Sequence, residues 1–140
     1  MKMKIMPLIV AAGLLCGAFT QTTLAQDIET IAPVVVKTVP EAGKKDVPPG
    51  EFEIRITFSK EMMDQSWSWS GAWKDSTPDS PNPNDRPHYD SDKKTCILKV
   101  KLEPNRTYGY WINSQNFHGF KDAAGHSAVP YLLVFKTSSQ

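Results

Sequence analysis

The feature that most constrains the fold is the segment Leu102-Glu-Pro104-Asn-Arg-Thr-Tyr108, which lies between two segments with the residue pattern of strands. It matches Leu-x-Pro-x-x-x-Tyr, the pattern of a tyrosine corner, in which the tyrosine hydroxyl hydrogen-bonds to the backbone a few residues upstream. Such corners occur where a Greek-key chain crosses between the two sheets of a β-sandwich. We therefore expect Leu102, Pro104 and Tyr108 to have structural roles in an antiparallel β-sandwich.

Alternation of apolar and polar residues predicts about seven short strands and no helix. The clearest alternation runs from Phe52 to Phe58, where every second residue is apolar. Between Thr95 and Leu102, Cys96 shares a face with apolar side chains, so we expect it to be a buried free cysteine. The other expected strands cover 33–39, 66–73, 107–113 and 131–137. Short strands without alternating helices indicate an all-β sandwich.

The first 25 residues have the pattern of a signal peptide. A start containing Lys2 and Lys4 is followed by the apolar run 5–18 and by the small-residue cleavage site Thr23-Leu-Ala25. We expect residues 1–25 to be removed, residues 26–32 to form a short leader and residues 33–140 to form one sandwich domain. The sequence thus predicts an exported protein that does not span a membrane.

Two further sequence properties narrow the location and the partners. Cys16 follows Leu15, where a lipoprotein signal has a small residue, so lipidation of Cys16 is not expected. Removal of residues 1–25 takes away two lysines and no acid, which changes the formal charge from +1 to −1. Because a chain this close to neutral has no basic surface to attract phosphates, we expect no nucleic-acid partner.

The order of several short motifs resembles that of bacterial Ig-like domains of the S-layer type. The motifs are Pro40-x-x-Gly43, Ile56-Thr-Phe58, Asp92-x-x-Thr95, Leu102-x-Pro104-x-x-x-Tyr108, Asp122-x-x-Gly125 and Phe135-Lys-Thr137. The resemblance implies a seven-stranded Ig-like sandwich that serves as a structural or protein-interaction module of exported, envelope-associated proteins. His126 replaces the Asn that follows Gly125 in that family, which removes a side chain suited to a left-handed turn.

Tryptophans at alternate positions are the main candidates for a binding surface. Trp67, Trp69 and Trp73 fall on one side of an expected strand, and Gly71 between them could leave bare backbone beneath a ring. We expect Trp69 to lie in the core, and Trp67, Trp73 and the outward Trp111 to form an exposed platform. The competing expectation is that loop 74–86, rich in Pro and Asp, folds over the rings and completes the core.

The leading hypothesis is a non-catalytic module that binds another envelope protein, and the alternative is a carbohydrate-binding module. Both classes of partner use exposed aromatic rings. An unpaired first or last strand would also serve as a template for a second copy, so a weak homodimer through a strand edge is a further prediction.

No motif in the sequence specifies catalysis or metal binding. His88, His118 and His126 lack the spacing of zinc ligands, and no serine lies in a nucleophile elbow. Asp90 and Asp92 flank one residue and could share a hard cation, but the same pattern is ordinary turn chemistry. We therefore predict no enzyme, no cofactor and no metal site.

Overall fold

The predicted strands form two antiparallel sheets in the computed structural model, which describes residues 26–140. The strands in that range are β1 (Val35–Val39), β2 (Gly50–Phe58), β3 (Trp69–Gly71), β4 (His88–Tyr89), β5 (Thr95–Leu102), β6 (Thr107–Ile112) and β7 (Tyr131–Lys136). They are ordered β1-β2-β5-β4 in the first sheet and β3-β6-β7 in the second sheet. The predicted seven-stranded sandwich is confirmed.

The sequence predicts a signal peptide and a leader in the N-terminal part of the chain, and only the leader falls on residues that the structure describes. The predicted signal peptide, with Cys16, lies outside the described residues. The expected leader contains a single 3₁₀ turn, Ile28–Thr30, which precedes β1. Between residues 26 and 140, no helix is long and apolar enough to cross a membrane.

The core lies between the two sheets and is filled by the inward positions of the alternating strands. Strands β2 and β5 pair continuously from Gly50 opposite Leu102 to Thr57 opposite Thr95. From β2, Ile54, Ile56 and Phe58 are buried. The second sheet supplies the facing side chains, which are those of Tyr108, Tyr110, Ile112, Leu133 and Phe135. Because side chains alternate along a strand, the odd-numbered residues of β6 point to the opposite, outer face.

The tyrosine corner fixes the crossing from β5 to β6. Tyr108 is buried, and its hydroxyl accepts a hydrogen bond from the backbone N–H of Glu103 at 2.8 Å. Its ring centroid lies 5.7 Å from that of Phe135 in β7. Thr137 closes the same corner, because its hydroxyl donates to the carbonyl of Glu103 at 2.6 Å. The end of the first sheet is thereby held against the second sheet.

The sheet edges are poor templates for strand addition. A register shift between Val35 and Lys37 interrupts β1, while β4 and β3 contain only two and three residues. The chain itself covers part of β7, since the N–H of Gly43 donates to the carbonyl of Val134 at 2.7 Å. Short, irregular or covered edges resist pairing with another chain. The structure therefore gives no support to the predicted strand-edge homodimer.

Loop 74–86 crosses from the second sheet to the first. Near its start, the N–H of Gly109 in β6 donates to the carbonyl of Ser76 at 2.9 Å. Further along, the N–H of Lys101 in β5 donates to the carbonyl of Asp79 at 2.8 Å. The loop thus bridges the two sheets and leaves Trp73 46% exposed. The expectation that it folds over the tryptophan rings is wrong for Trp73.

We predict that Tyr108→Phe lowers the free energy of unfolding by about 1 to 2 kcal/mol, because the Glu103 N–H loses its partner while the ring packing is retained. Urea denaturation followed by tryptophan fluorescence measures the loss. Tyr131→Phe is the matched control, since the Tyr131 ring is only partly buried and its hydroxyl makes no hydrogen bond to residues 26–140. Equal losses in the two variants would contradict this role for the corner.

Candidate functional site

Two of the four tryptophans contribute to the core rather than to an exposed surface. The Trp69 ring lies between the sheets, with centroid distances of 5.5 Å to both Tyr110 and Phe120. Trp67 is half-buried and packs beside Tyr89, with ring centroids 6.5 Å apart. The expected placement of Trp67 on the platform is therefore wrong. The alternation from 66 to 73 fails because β3 extends only over Trp69–Gly71.

Trp73 reaches the outer face of the second sheet because the chain turns directly after β3. The backbone N–H of Trp73 donates to the hydroxyl of Ser76 at 3.2 Å, and this bond closes the turn. Its indole then covers Gly109 of β6, where a Cβ atom would come within 2.3 Å of the ring. A tryptophan does lie across bare glycine backbone, but the glycine is Gly109 and not Gly71.

Trp111 lies on the same outer face as Trp73, two residues along β6 from Gly109. It pairs with Ser70 of β3 on one side and with Leu132 of β7 on the other. Leu132 is 40% exposed, and the Trp111 ring is half-buried. The structure thus brings Trp73 and Trp111 to one sheet face, which we call the outer face.

A groove of about 620 Å³ lies at the end of the outer face beside Trp111. The strand residues and the following loop line it together, namely Ser70, Gly71, Trp111, Ser114, Gln115, Asn116, Phe117 and Pro130. Within the described part of the chain, the lining contains aromatic rings, hydroxyls and amides but no charged side chain. The groove can therefore offer apolar contact and neutral hydrogen-bonding groups to a ligand.

Loop 114–117 forms one wall of the groove and has a defined conformation. The N–H of Ser114 donates to the carbonyl of Phe117 at 2.7 Å, and the hydroxyl of Ser114 accepts the N–H of Phe117 at 3.2 Å. These bonds hold the Phe117 side chain out from the loop, where it is 57% exposed. No role for Phe117 was predicted, because the segment around it shows no strand or helix periodicity.

Asn113 attaches this loop to the core. Its amide is fully buried and donates to the carbonyls of Phe120 and Ala128, both at 3.0 Å. The side-chain oxygen accepts the N–H of Phe120 at 2.9 Å. Asn113 has a positive φ of 54°, a conformation that Asn tolerates better than most residues. The residue type was thus the only signal in the sequence for this position.

Asp90 and Asp92, the candidates for cation binding, are used by the turn between β4 and β5. The Asp92 carboxylate accepts the N–H groups of Lys94 and Thr95, both at 2.8 Å. Burial opposes its charge, but hydrogen bonds from Thr95 and Lys94 outweigh that effect and lower the pKa of Asp92. Asp90 pairs with Arg55 at 3.3 Å. No group of three potential metal ligands occurs in residues 26–140.

A second polar cluster joins the N-terminal turn to the rest of the domain. The Lys60 ammonium lies 2.6 Å from the Asp122 carboxylate, and both side chains are buried. Lys60 also donates to the carbonyls of Ile28 and Glu29 at 3.2 and 3.1 Å. The Asp122 carboxylate accepts the backbone N–H of His126 at 2.7 Å and contacts its ring Nδ1 at 2.9 Å. The cluster anchors the expected leader to the domain.

His126 is compatible with this turn, although the resemblance predicts Asn at its position. The left-handed residue of the turn is Gly125, with φ of 89°, and His126 is not among the residues with positive φ. The concern that histidine is unsuited to this turn is thus wrong. Of the other two histidines, His118 has its ring Nε2 3.0 Å from the carbonyl of Gln115, and His88 lies exposed in β4. The three histidines occupy separate places in the fold.

Two sheets ordered β1-β2-β5-β4 and β3-β6-β7, joined by a tyrosine corner, define an Ig-like sandwich of the seven-stranded type. The sequence profile of the bacterial Ig-like domain family matches residues 29–137, so the chain belongs to this family. The solved structure of the S-layer protein rSbsC(31-844) is similar at 12% identity and a TM-score of 0.46. The similarity covers 79% of this chain and 14% of that one. No curated protein matches the chain.

We predict that the ion pair of Asp122 makes stability depend on pH in the acid range. Burial opposes the charged carboxylate, but hydrogen bonds from Lys60 and His126 outweigh it and lower the pKa of Asp122 from 3.8 to about 2. Because the folded-state pKa is below the unfolded-state value, the stabilisation is present above about pH 4 and is lost as the pH falls to about 2. Its size is about 2 kcal/mol.

Urea unfolding of the wild type and Asp122→Asn across this pH window tests the prediction. The difference in unfolding free energy between the two proteins should shrink as the pH falls. Asp46→Asn is the control, since the Asp46 side chain is 76% exposed in its contact with Lys44 and an exposed ion pair contributes little to stability, so this variant should unfold like the wild type. A constant difference between wild type and Asp122→Asn would show that Asp122 does not titrate as described.

Proposed function

We propose that this domain is a non-catalytic binding module of the bacterial cell envelope and that the outer face is its binding surface. The observation that carries the proposal is the concentration of apolar side chains on and beside that face. Trp73, Phe117 and Leu132 are each at least 40% exposed. Trp111 pairs with Leu132 and lines the groove together with Phe117. Exposed aromatic and apolar side chains that are grouped together mark interaction sites.

The outer face is available for binding a partner, whereas the inner face of the same sheet is not. The inner face of the second sheet is fully occupied by the core through Tyr108, Tyr110 and Leu133. The outer face presents side chains from rigid strands, which hold a binding surface in place better than loops alone. The sequence predicted either a protein or a glycan as partner, and both bind to exposed aromatic rings.

A non-catalytic role agrees with the environments of the Cys96 thiol and the Asp122 carboxylate. Burial raises the pKa of the Cys96 thiol to about 12, so this cysteine stays protonated at neutral pH and is a poor nucleophile. The buried Asp122 carboxylate is paired with the Lys60 ammonium. Membership of the bacterial Ig-like family, together with the predicted export signal, supports a location at the envelope.

We predict that Leu132→Asp weakens binding of the protein to envelope fragments of the producing bacterium by about tenfold or more, because it places a charge in the apolar surface. Co-sedimentation with isolated fragments, over a range of protein concentrations, measures the affinity. Val36→Asp is the matched control, since Val36 is 60% exposed on β1 of the other sheet. The proposal fails if the wild type does not bind or if both variants bind equally well.

A further inference from the structure

We propose that the groove beside Trp111 binds an uncharged oligosaccharide segment of an envelope polysaccharide. The inference rests on the proposed function, because it names the ligand class of the same outer face. The groove combines two aromatic rings, Trp111 and Phe117, with hydroxyl and amide side chains. A pyranose ring matches this combination, since its C–H face packs on an aromatic ring while its hydroxyls lie at the rim and exchange hydrogen bonds with polar neighbours.

The charge of the lining selects a neutral ligand. Within residues 26–140, no Asp, Glu, Lys or Arg lines the groove. A charged ligand would lose hydration on entry without gaining an ionic partner, which is unfavourable. A neutral sugar replaces its water contacts with contacts to Ser70, Ser114 and the side-chain amides. The volume of about 620 Å³ lies within the range of about 300–1,000 Å³ found for ligand sites.

The side-chain amides of the groove are free to bind a ligand, and the backbone that carries them is ordered. The Gln115 and Asn116 side chains are exposed, and their amides make no hydrogen bond to the described residues. Their backbone is nonetheless fixed, because the Asn116 N–H donates to the Ser114 hydroxyl at 3.4 Å and the Gln115 carbonyl contacts the His118 ring at 3.0 Å. An ordered loop backbone reduces the conformational entropy that is lost when a ligand binds.

A peptide ligand fits the same surface less well. Extended peptides gain affinity by main-chain hydrogen bonds along an exposed strand edge. The strand that borders the groove, β3, contains only three residues. The groove instead offers side-chain amides, which are donors and acceptors at once and so suit hydroxyl groups. These properties favour a sugar over a polypeptide.

Titration of the full-length protein with chitotetraose, cellotetraose and mannotetraose tests the inference. Tryptophan fluorescence reports on all four tryptophans, of which Trp111 lines the groove. Saturation-transfer NMR detects the sugar protons that contact the aromatic rings. We expect at least one tetrasaccharide to bind saturably, and Phe117→Ala to weaken that binding by about tenfold or more through loss of one stacking surface. Asn116→Ala should weaken it through loss of an amide, while Val36→Ala, on the opposite sheet, should leave it unchanged.

Envelope fragments treated with protease separate this inference from the proposed function. If a glycan is the partner, treated and untreated fragments bind the protein equally, and Phe117→Ala weakens both. If treatment abolishes binding while Leu132→Asp still impairs binding to untreated fragments, the outer face binds a protein and the glycan inference is overturned. The inference is equally overturned if no tetrasaccharide binds or if Phe117→Ala binds as well as the wild type. Absence of binding to any fragments overturns the proposed function itself.

Discussion

The buried amide of Asn113 is the contact on which both the core at this end of the sandwich and the groove beside Trp111 depend. It satisfies the N–H and the carbonyl of Phe120 and the carbonyl of Ala128. Phe120 in turn packs between the sheets, with its ring centroid 5.2 Å from Phe58 and 5.5 Å from Trp69. Buried backbone groups without partners are costly, so a single side chain stabilises an otherwise irregular segment. The loop that precedes Phe120 is thereby presented as a wall of the groove.

The aromatic character of the outer face also follows from how the sandwich distributes its side chains. Strict alternation in β6 places Tyr108, Tyr110 and Ile112 in the core, so Gly109 and Trp111 are turned outward. Gly109 has no side chain of its own, and the Trp73 indole occupies the space above it. An outer sheet face facing water is normally polar, so aromatic side chains concentrated there require a separate explanation. The proposed binding of a partner to the outer face is such an explanation.

The sequence was sufficient for the fold because alternation and the tyrosine corner are local signals. β5 has the predicted bounds Thr95–Leu102, and β2 differs from prediction only by two residues at its start. The site was harder to predict. The alternation from 66 to 73 predicted that Trp67 and Trp73 lie on the same side of one strand. The chain instead turns after Gly71, and the buried Ser76 hydroxyl closes that turn. Such a turn produces no periodic pattern in the sequence from which it could be predicted. Phe117 and Asn113 act through contacts with Ser114, Phe120 and Ala128, which a single sequence does not reveal.

If Asn113 holds loop 114–117 against the core, the groove is part of the rigid domain, and the exchange rate of the Phe120 amide hydrogen tests this most directly. Native-state hydrogen exchange gives the free energy of opening for each amide. The Phe58 N–H, bonded to the Lys94 carbonyl at 2.9 Å, is a reference within the core. We predict that the Phe120 amide opens only with global unfolding, at the same free energy as Phe58. Exchange of Phe120 through a local opening of low free energy would contradict the account, because Asn113 would then not hold the loop.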